Sequence, residues 1–185
     1  HTRRYRHQKS VTGFILALLT LFLLFGISNS SAATQTIPKG LIKLDGRSAS
    51  ELKLSNMDGE PYDLSNSKGH WVFVHFWASW CRPCRYEMPL IQKMSSIMEN
   101  TSLEIVLVNT AETDDAVFSF IGIAAPDLVP LMDYDGLVTQ KWQPRGLPST
   151  FLVDPDGKLR YLALGGRDWN SDEFIKFLKN ILASH

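Results

Sequence analysis

The fold is decided by residues 71–89, which read WVFVHFWASWCRPCRYEMP. The first part, Trp71–Trp77, is apolar at nearly every position, which favours a central strand that helices cover on both faces. A helix is predicted from Pro83 onward, because proline suits the first turn of a helix. Cys81 and Cys84, the only cysteines of the chain, therefore lie where a strand passes into a helix.

The position of this cysteine pair predicts redox chemistry. Two thiols separated by two residues can close a small disulfide or open into a dithiol. At the first turn of a helix, unpaired backbone N–H groups and the positive end of the helix dipole favour the thiolate, which is the reactive form. A static structural disulfide and a pair of metal ligands are the alternatives. The flanking tryptophans and Pro83 would have no obvious purpose in either of them.

Strand and helix signals alternate along the rest of the chain. An Asp58-Gly59 turn between residues 51–55 and 61–64 predicts a β-hairpin. Further strands are predicted over 103–109, 128–132, 149–153 and 158–163, and helices over 83–100, 114–121 (capped by Asp114-Asp115), 137–142 and from Ser171 or Asp172 onward. This pattern predicts an α/β fold with a mixed central sheet and helices on both faces.

The N-terminal 33 residues are arranged like a secretory signal. Residues 1–10 carry four basic side chains and no acidic one, residues 11–27 are apolar, and Ser31-Ala32-Ala33 resembles a cleavage site. The alternative is an uncleaved membrane anchor, since a helix over 11–27 would span roughly 26 Å, just short of the ~30 Å hydrocarbon core. Both readings predict an exported chain, periplasmic or otherwise extracytoplasmic, either soluble or anchored to the cytoplasmic membrane.

The sequence predicts the domain organisation, and its net charge and cysteine count exclude some classes of partner and of metal site. We expect residues 1–33 to be the signal peptide or anchor, 34–50 a linker, and 51–185 a single folded domain. Without residues 1–33 the chain keeps 15 basic against 19 acidic residues, a net charge of −4, so we expect no nucleic acid partner. Two cysteines are too few for a disulfide-stapled scaffold or a four-cysteine zinc site, and we expect no metal and no cofactor.

Two motifs resemble the signatures of a known family. Residues 76–89, FWASWCRPCRYEMP, resemble the active-site stretch of thioredoxin-like proteins, in the exported TlpA/ResA branch that includes the cytochrome c maturation protein CcmG. Residues 146–154, GLPSTFLVD, resemble the second signature of that branch. The likeness runs from about Glu51 to the C-terminus. It implies a thioredoxin-like three-layer fold with an N-terminal β-hairpin and a central helix–strand insertion within residues 103–132.

The resemblance implies roles for the two cysteines and for the residues between them. Cys81 would attack a client disulfide, and Cys84 would resolve the resulting mixed disulfide. Arg82 and Pro83 would contact the substrate and tune the reduction potential of the pair. An arginine there favours the thiolate, but a solvent-facing Arg82 with little effect is an equal alternative.

Two residues are candidates for proton transfer. Glu87 matches the family's Glu-x-Pro element and lies on the same helix face as Cys84, whose proton it could accept. The alternative is an exposed first-turn acid. His75 departs from the pattern, because thioredoxin has a buried Asp there and exported relatives often have Asn. A neutral imidazole could relay protons to Cys84, or it could hydrogen-bond in the sheet without a catalytic part.

A client-binding face is implied by the second motif and by the tryptophans. Pro148 matches the family's cis-proline, with an ordinary trans turn proline as the alternative. The bend would let the backbone at Leu147 pair with an extended client segment. Trp80 and Trp77 would pack around the thiols and leave an apolar docking face, although plain core packing is also adequate for Trp77.

These patterns predict an exported protein-disulfide reductase. The resemblance implies clients such as the haem-site cysteines of apocytochrome c or the copper-site cysteines of oxidase assembly, and a membrane-embedded thiol donor that reduces the protein again. The alternatives are an oxidase or isomerase of the same fold, or a metallochaperone or binding module. A peroxiredoxin would need a Thr-x-x-Cys setting, which the chain lacks.

Overall fold

The computed structural model describes residues 36–184. The predicted signal or anchor over residues 1–33, with its apolar stretch 11–27, lies outside the described residues. Within residues 36–184, none of the helices has the length and apolar character that crossing a membrane requires.

An eight-stranded mixed sheet forms the centre of the domain. The strands in chain order are β1 (Leu41–Lys43), β2 (Lys53–Asn56), β3 (Pro61–Asp63), β4 (Trp71–Trp77), β5 (Leu103–Thr110), β6 (Pro130–Asp133), β7 (Ser149–Val153) and β8 (Leu159–Leu164). Their spatial order is β1-β8-β7-β4-β5-β6-β2-β3. The β4–β5 and β5–β6 pairs are parallel, and the other neighbouring pairs are antiparallel.

Helices cover both faces of this sheet. They are α1 (Arg82–Met98), α2 (Asp114–Ala124), α3 (Leu137–Trp142) and α4 (Asp172–Ala183), with a short 3₁₀ helix at Leu64–Ser67. One apolar cluster joins a sheet face to α1, α2 and α4. A second cluster joins the opposite face to Trp142 of α3. The predicted layered α/β fold with a mixed central sheet is thereby confirmed.

Strand β4 connects the two clusters. All seven of its residues are buried, and successive side chains of a strand point to opposite faces. Phe73 and Trp77 therefore belong to the cluster beneath α1, whereas Val72 and Val74 belong to the cluster on the α3 side. His75 shares the face of Phe73 and Trp77, which directs its imidazole toward α1.

Most predicted elements are present, with small shifts at their ends. The hairpin forms through the Asp58-Gly59 turn, where Gly59 has a φ of +82°. The strand predicted over 128–132 is β6, which begins two residues later. The predicted Asp114-Asp115 cap of α2 is wrong: both acids lie in the first turn, Thr113 is the N-cap residue, and no side-chain capping bond forms. Acids in a first turn still favour the helix dipole.

The stretch 34–50 includes a strand of the sheet. β1 pairs antiparallel with β8, with Leu41 opposite Ala163. The side chain of Leu41 is buried in the cluster beneath α1. Sequence on the N-terminal side of the hairpin therefore contributes to one edge of the sheet.

The buried carboxylate of Asp133 holds the start of α3. Its Oδ2 accepts hydrogen bonds from the Thr139 backbone N–H (2.7 Å) and hydroxyl (2.6 Å), and its Oδ1 accepts from the Val138 N–H at 3.2 Å. The side chain of Asp133 is almost fully buried. The neighbouring Asp135 is exposed and accepts only from the Leu137 N–H, at 3.0 Å.

We predict that Asp133→Ala lowers the free energy of unfolding by about 2–3 kcal/mol, because it removes an ionised acceptor and leaves buried donors unpaired. Asp135→Ala is the matched control and is expected to cost at most about 1 kcal/mol, since water can replace its carboxylate. Urea unfolding of both variants measures the difference. Equal losses in the two variants would contradict the assigned role of Asp133.

Candidate active site

The two cysteines form a disulfide at the N-terminus of α1. Cys81 is the N-cap residue of the helix, and its Cα lies 5.3 Å from that of Cys84. The Cys84 backbone N–H points at the Cys81 Sγ, 3.4 Å away. Once the disulfide is reduced, a Cys81 thiolate at this position has a backbone N–H donor and the helix dipole to stabilise it.

The two sulfur atoms differ in their access to solvent. Cys84 is fully buried, whereas Cys81 keeps 5% of its surface exposed. Around Cys81 the side chains of Trp80, Arg82 and Pro83 are exposed. Of the two cysteines, Cys81 therefore keeps the greater access to solvent.

The loop before β7 lies beside this corner. The Leu147–Pro148 peptide bond is cis, as the resemblance implies. In the β4–β7 pair, Ser149 is opposite Phe76, so Pro148 lies next to the end of β4 from which the cysteine loop departs. The Ser149 hydroxyl donates to the Gly146 carbonyl at 2.7 Å, which closes the loop on itself.

A histidine and a glutamate are buried against each other behind the cysteines. The Nε2 atom of His75 lies 3.2 Å from Oε1 of Glu87, and both side chains are fully buried. Neither atom has another hydrogen-bond partner among residues 36–184. The Nδ1 atom of His75 lies 2.8 Å from the hydroxyl of Thr150, its cross-strand neighbour on β7. The alternative of an exposed Glu87 is therefore wrong.

The second oxygen of Glu87 accepts two hydrogen bonds. Its donors are the Arg167 backbone N–H, at 2.9 Å, and the indole N–H of Trp169, at 3.0 Å. A carboxylate removed from water is costly unless such donors satisfy it. This arrangement leaves Oε1 facing only His75.

The two facing atoms can form a hydrogen bond only when a proton lies between them. Without one, a lone pair on His75 Nε2 and a lone pair on Glu87 Oε1 would face each other at 3.2 Å. Glu87 lies one helical turn after Cys84, so the two side chains are neighbours on the same face of α1.

A network that the sequence analysis did not single out holds the segment before Cys81. Glu112 accepts from the Ser79 N–H (2.7 Å), from the Ser79 hydroxyl (2.5 Å) and from Asn109 Nδ2 (2.6 Å). The Arg85 guanidinium donates to the Ser79 carbonyl at 3.1 Å. Because β4 and β5 are parallel, their carboxyl ends meet at one edge of the sheet. Polar residues at the C-terminal end of β5 could therefore have been predicted to lie beside the segment before Cys81.

Trp169 was also missed, together with the segment that carries it. The available signal was a single large aromatic residue within the polar stretch 165–172. In the same segment, a Cβ on Gly166 would lie 3.2 Å from both Cβ and the carbonyl oxygen of Pro83. The chain after β8 therefore packs directly on the residues between the cysteines.

Metal ligands are not gathered in the described part of the chain. Within residues 36–184, no group of three or more His, Cys, Asp or Glu side chains has a geometry that could hold a metal ion.

Comparisons with known proteins agree with this geometry. The AhpC/TSA family matches residues 46–162. The thiol-disulfide oxidoreductase ResA of Bacillus subtilis (strain 168) is 32% identical over 121 residues, which cover 65% of this chain and 68% of that protein. ResA of Geobacillus thermodenitrificans (strain NG80-2) is 32% identical over 123 residues, 65% of this chain and 69% of that protein.

A solved structure shows the same fold. A crystal structure from Chlorobium tepidum, described as a thiol:disulfide interchange protein DsbE, has a TM-score of 0.68 and 26% sequence identity. The match covers 76% of this chain and 98% of that one. The chain belongs to the AhpC/TSA family, as a thioredoxin-like thiol–disulfide oxidoreductase of the ResA/DsbE type.

Proposed function

We propose that the protein is an exported reductase that uses the Cys81–Cys84 dithiol to reduce disulfides in client proteins. One observation carries the proposal: Cys84 is fully buried, whereas Cys81, the N-cap residue of α1, keeps 5% of its surface exposed among the exposed side chains of Trp80, Arg82 and Pro83. A more accessible nucleophile and a buried resolving thiol, with a base available to that thiol, are what a two-step exchange requires.

The first step is attack by the Cys81 thiolate on a client disulfide. A bond forms between Cys81 Sγ and one client sulfur, the client S–S bond breaks, and the other client sulfur leaves as a thiolate. The Cys84 N–H and the helix dipole favour the attacking thiolate.

The second step releases the client. Cys84 gives its proton to the His75–Glu87 pair, and the new thiolate attacks Cys81 Sγ. The mixed disulfide breaks, the second client thiolate leaves and takes up a proton from water, and the Cys81–Cys84 disulfide forms. Two electrons have then moved from the protein to the client. A dithiol donor, which we propose to be membrane-embedded, restores them.

Client docking is assigned to the surface around Cys81. Trp80 is 69% exposed, an unusual position for a tryptophan, and directly precedes the nucleophile. Arg82 and Pro83 extend this surface between the cysteines. The backbone at Leu147, before the cis Pro148, is proposed to pair with an extended client segment.

The proposals for the clients and for the cellular compartment are based on the sequence. The basic, apolar and small-residue order of residues 1–33 supports export, either through a cleaved signal or through an anchor over residues 11–27. The thioredoxin-like resemblance supports clients with paired cysteines, such as apocytochrome c or copper-site proteins of oxidase assembly. We propose that the folded domain begins before β1 and not at Glu51, because β1 pairs with β8 and Leu41 lies in the core.

An oxidase or isomerase of the same fold is separated from a reductase by the reduction potential. We predict that the Cys81–Cys84 pair, equilibrated with thiol–disulfide buffers, has a potential closer to thioredoxin's, about −270 mV, than to DsbA's, about −120 mV. A value near that of DsbA would exclude the reductase. A metallochaperone is tested separately, by copper titration of the reduced protein.

Trapping identifies the clients. We predict that Cys84→Ser, expressed in the native host, accumulates mixed disulfides through Cys81, because the resolving thiol is missing. Mass spectrometry of the trapped proteins names them. Cys81→Ser is the control and should trap far fewer proteins, since its remaining thiol is buried. Equal trapping by both variants would contradict the order of attack.

The proton acceptor is tested by pH profiles of the second step. Reduced protein mixed with 5,5′-dithiobis(2-nitrobenzoate) releases one thionitrobenzoate when Cys81 is modified and a second when Cys84 resolves the mixed disulfide. We predict that Glu87→Gln slows the second release by about a hundredfold near neutral pH, because the base is lost. His75→Asn is expected to change the pH dependence of the same phase.

Glu99→Gln, at the exposed C-terminal end of α1, is the matched control and should leave both phases unchanged. If His75→Asn leaves the pH profile as it is, His75 has no part in the relay. If Glu87→Gln also leaves the pH profile unchanged, the His75–Glu87 pair is not the proton acceptor for Cys84.

A further inference from the structure

We infer that Trp169 is a positioning residue for proton transfer. Its indole N–H donates a hydrogen bond to Oε2 of Glu87, so the proton that leaves Cys84 is directed to Oε1 of Glu87 or to His75. This inference rests on the proposed role of Glu87 and His75 as the acceptor. Trp169 lies outside both sequence motifs, 82 residues after Glu87.

The hydrogen bonds at Glu87 carry the inference. Oε2 accepts from the Trp169 indole at 3.0 Å and from the Arg167 backbone at 2.9 Å. A carboxylate oxygen that accepts two N–H groups cannot take up a proton without displacing one of those donors. Among residues 36–184, Oε1 has no partner other than His75 Nε2, which lies 3.2 Å away. The proton that leaves Cys84 is therefore held on Oε1 or Nε2.

Packing keeps the indole in this orientation. Trp169 is almost fully buried. Its ring meets Phe73 of β4 edge-on, with ring centroids 4.8 Å apart, and lies at the same distance from Phe174 of α4. Contacts on opposite elements leave the indole little freedom to turn its N–H away from Glu87.

The same segment is attached to the rest of the active site. The Gly165 N–H donates to the Pro148 carbonyl at 2.9 Å. Gly166 packs so closely on Pro83 that a Cβ there would approach it to 3.2 Å. The segment that carries Trp169 is thereby placed by the cis-proline loop and by the residues between the cysteines.

The titratable and charged groups around Glu87 come from three elements. Among residues 36–184, Glu87 contacts His75 of β4 and the backbone of Arg167 after β8, and Cys84 precedes it by one turn of α1. The Arg167 guanidinium donates to the carbonyls of Lys39 (3.3 Å) and Leu164 (3.1 Å). The backbone N–H of Arg167 donates to Glu87. Thr150 of β7 contributes a neutral hydroxyl to His75, and Phe174 of α4 contributes an aromatic ring beside Trp169.

Trp169→Phe tests the inference by removing the N–H donor and keeping an aromatic ring. With one donor fewer, the ionised carboxylate is less stable, and the pH midpoint of the second thionitrobenzoate release should rise by about one unit. Trp142→Phe is the matched control: Trp142 is a buried tryptophan on the opposite sheet face, and its indole donates to the Glu51 carbonyl at 3.3 Å. In Trp142→Phe, the pH midpoint of the second thionitrobenzoate release should equal that of the wild type.

A variant with 3-benzothienylalanine at position 169 separates the lost donor from altered packing, because it keeps the bicyclic shape without the N–H. It should show the same upward shift, with thermal unfolding close to that of the wild type. An unchanged midpoint in this variant overturns the inference. If Glu87→Gln and His75→Asn still alter the profile in that case, the proposed acceptor stands and only the role of Trp169 fails.

Discussion

The active site depends on one constraint, the complete burial of the Glu87 carboxylate. A buried carboxylate destabilises the folded state unless each oxygen has a partner. The partners come from separate parts of the chain: His75 from β4, and the N–H groups of Arg167 and Trp169 from the segment after β8. Satisfying this one side chain therefore fixes α1 against the centre of the sheet and against the C-terminal part of the domain.

The position of the reactive sulfur follows from the same arrangement. Once α1 is held, its start keeps Cys81 slightly exposed and its first turn buries Cys84 completely. The parallel pairing of β4 with β5 brings Glu112 to the segment before Cys81, where it binds both the backbone and the hydroxyl of Ser79. The loop before the nucleophile and the helix after it are thus held by different carboxylates.

Burial also explains how one disulfide can serve a two-step exchange. The more accessible sulfur, that of Cys81, needs a stabilised thiolate, and the N-terminus of α1 favours one. The buried sulfur of Cys84 needs a proton acceptor within the protein, and the acceptor that we propose, Glu87 with His75, starts one helical turn along α1. These two local environments allow Cys81 and Cys84 to have different roles although they are bonded to each other.

Local sequence patterns were enough for the elements that form this site. An apolar run rich in β-branched and aromatic residues, such as β4, favours a buried strand, and Asp58-Gly59 favours a hairpin turn. The spacing of Cys81 and Cys84 allows a disulfide. Where several local solutions had similar energies, prediction was less accurate: α2 begins with Thr113 as its N-cap residue and without the expected aspartate cap.

The sequence by itself determined that a redox-active cysteine pair lies at a strand-to-helix corner of a layered α/β domain, because both features depend on residues a few positions apart. Only the tertiary structure decided that Glu87 is buried, that His75 faces it, and that Trp169 donates to it. Arg167 and Trp169 lie 80 and 82 residues from Glu87. No local pattern records which donors the fold brings to a carboxylate, since that depends on how distant elements pack.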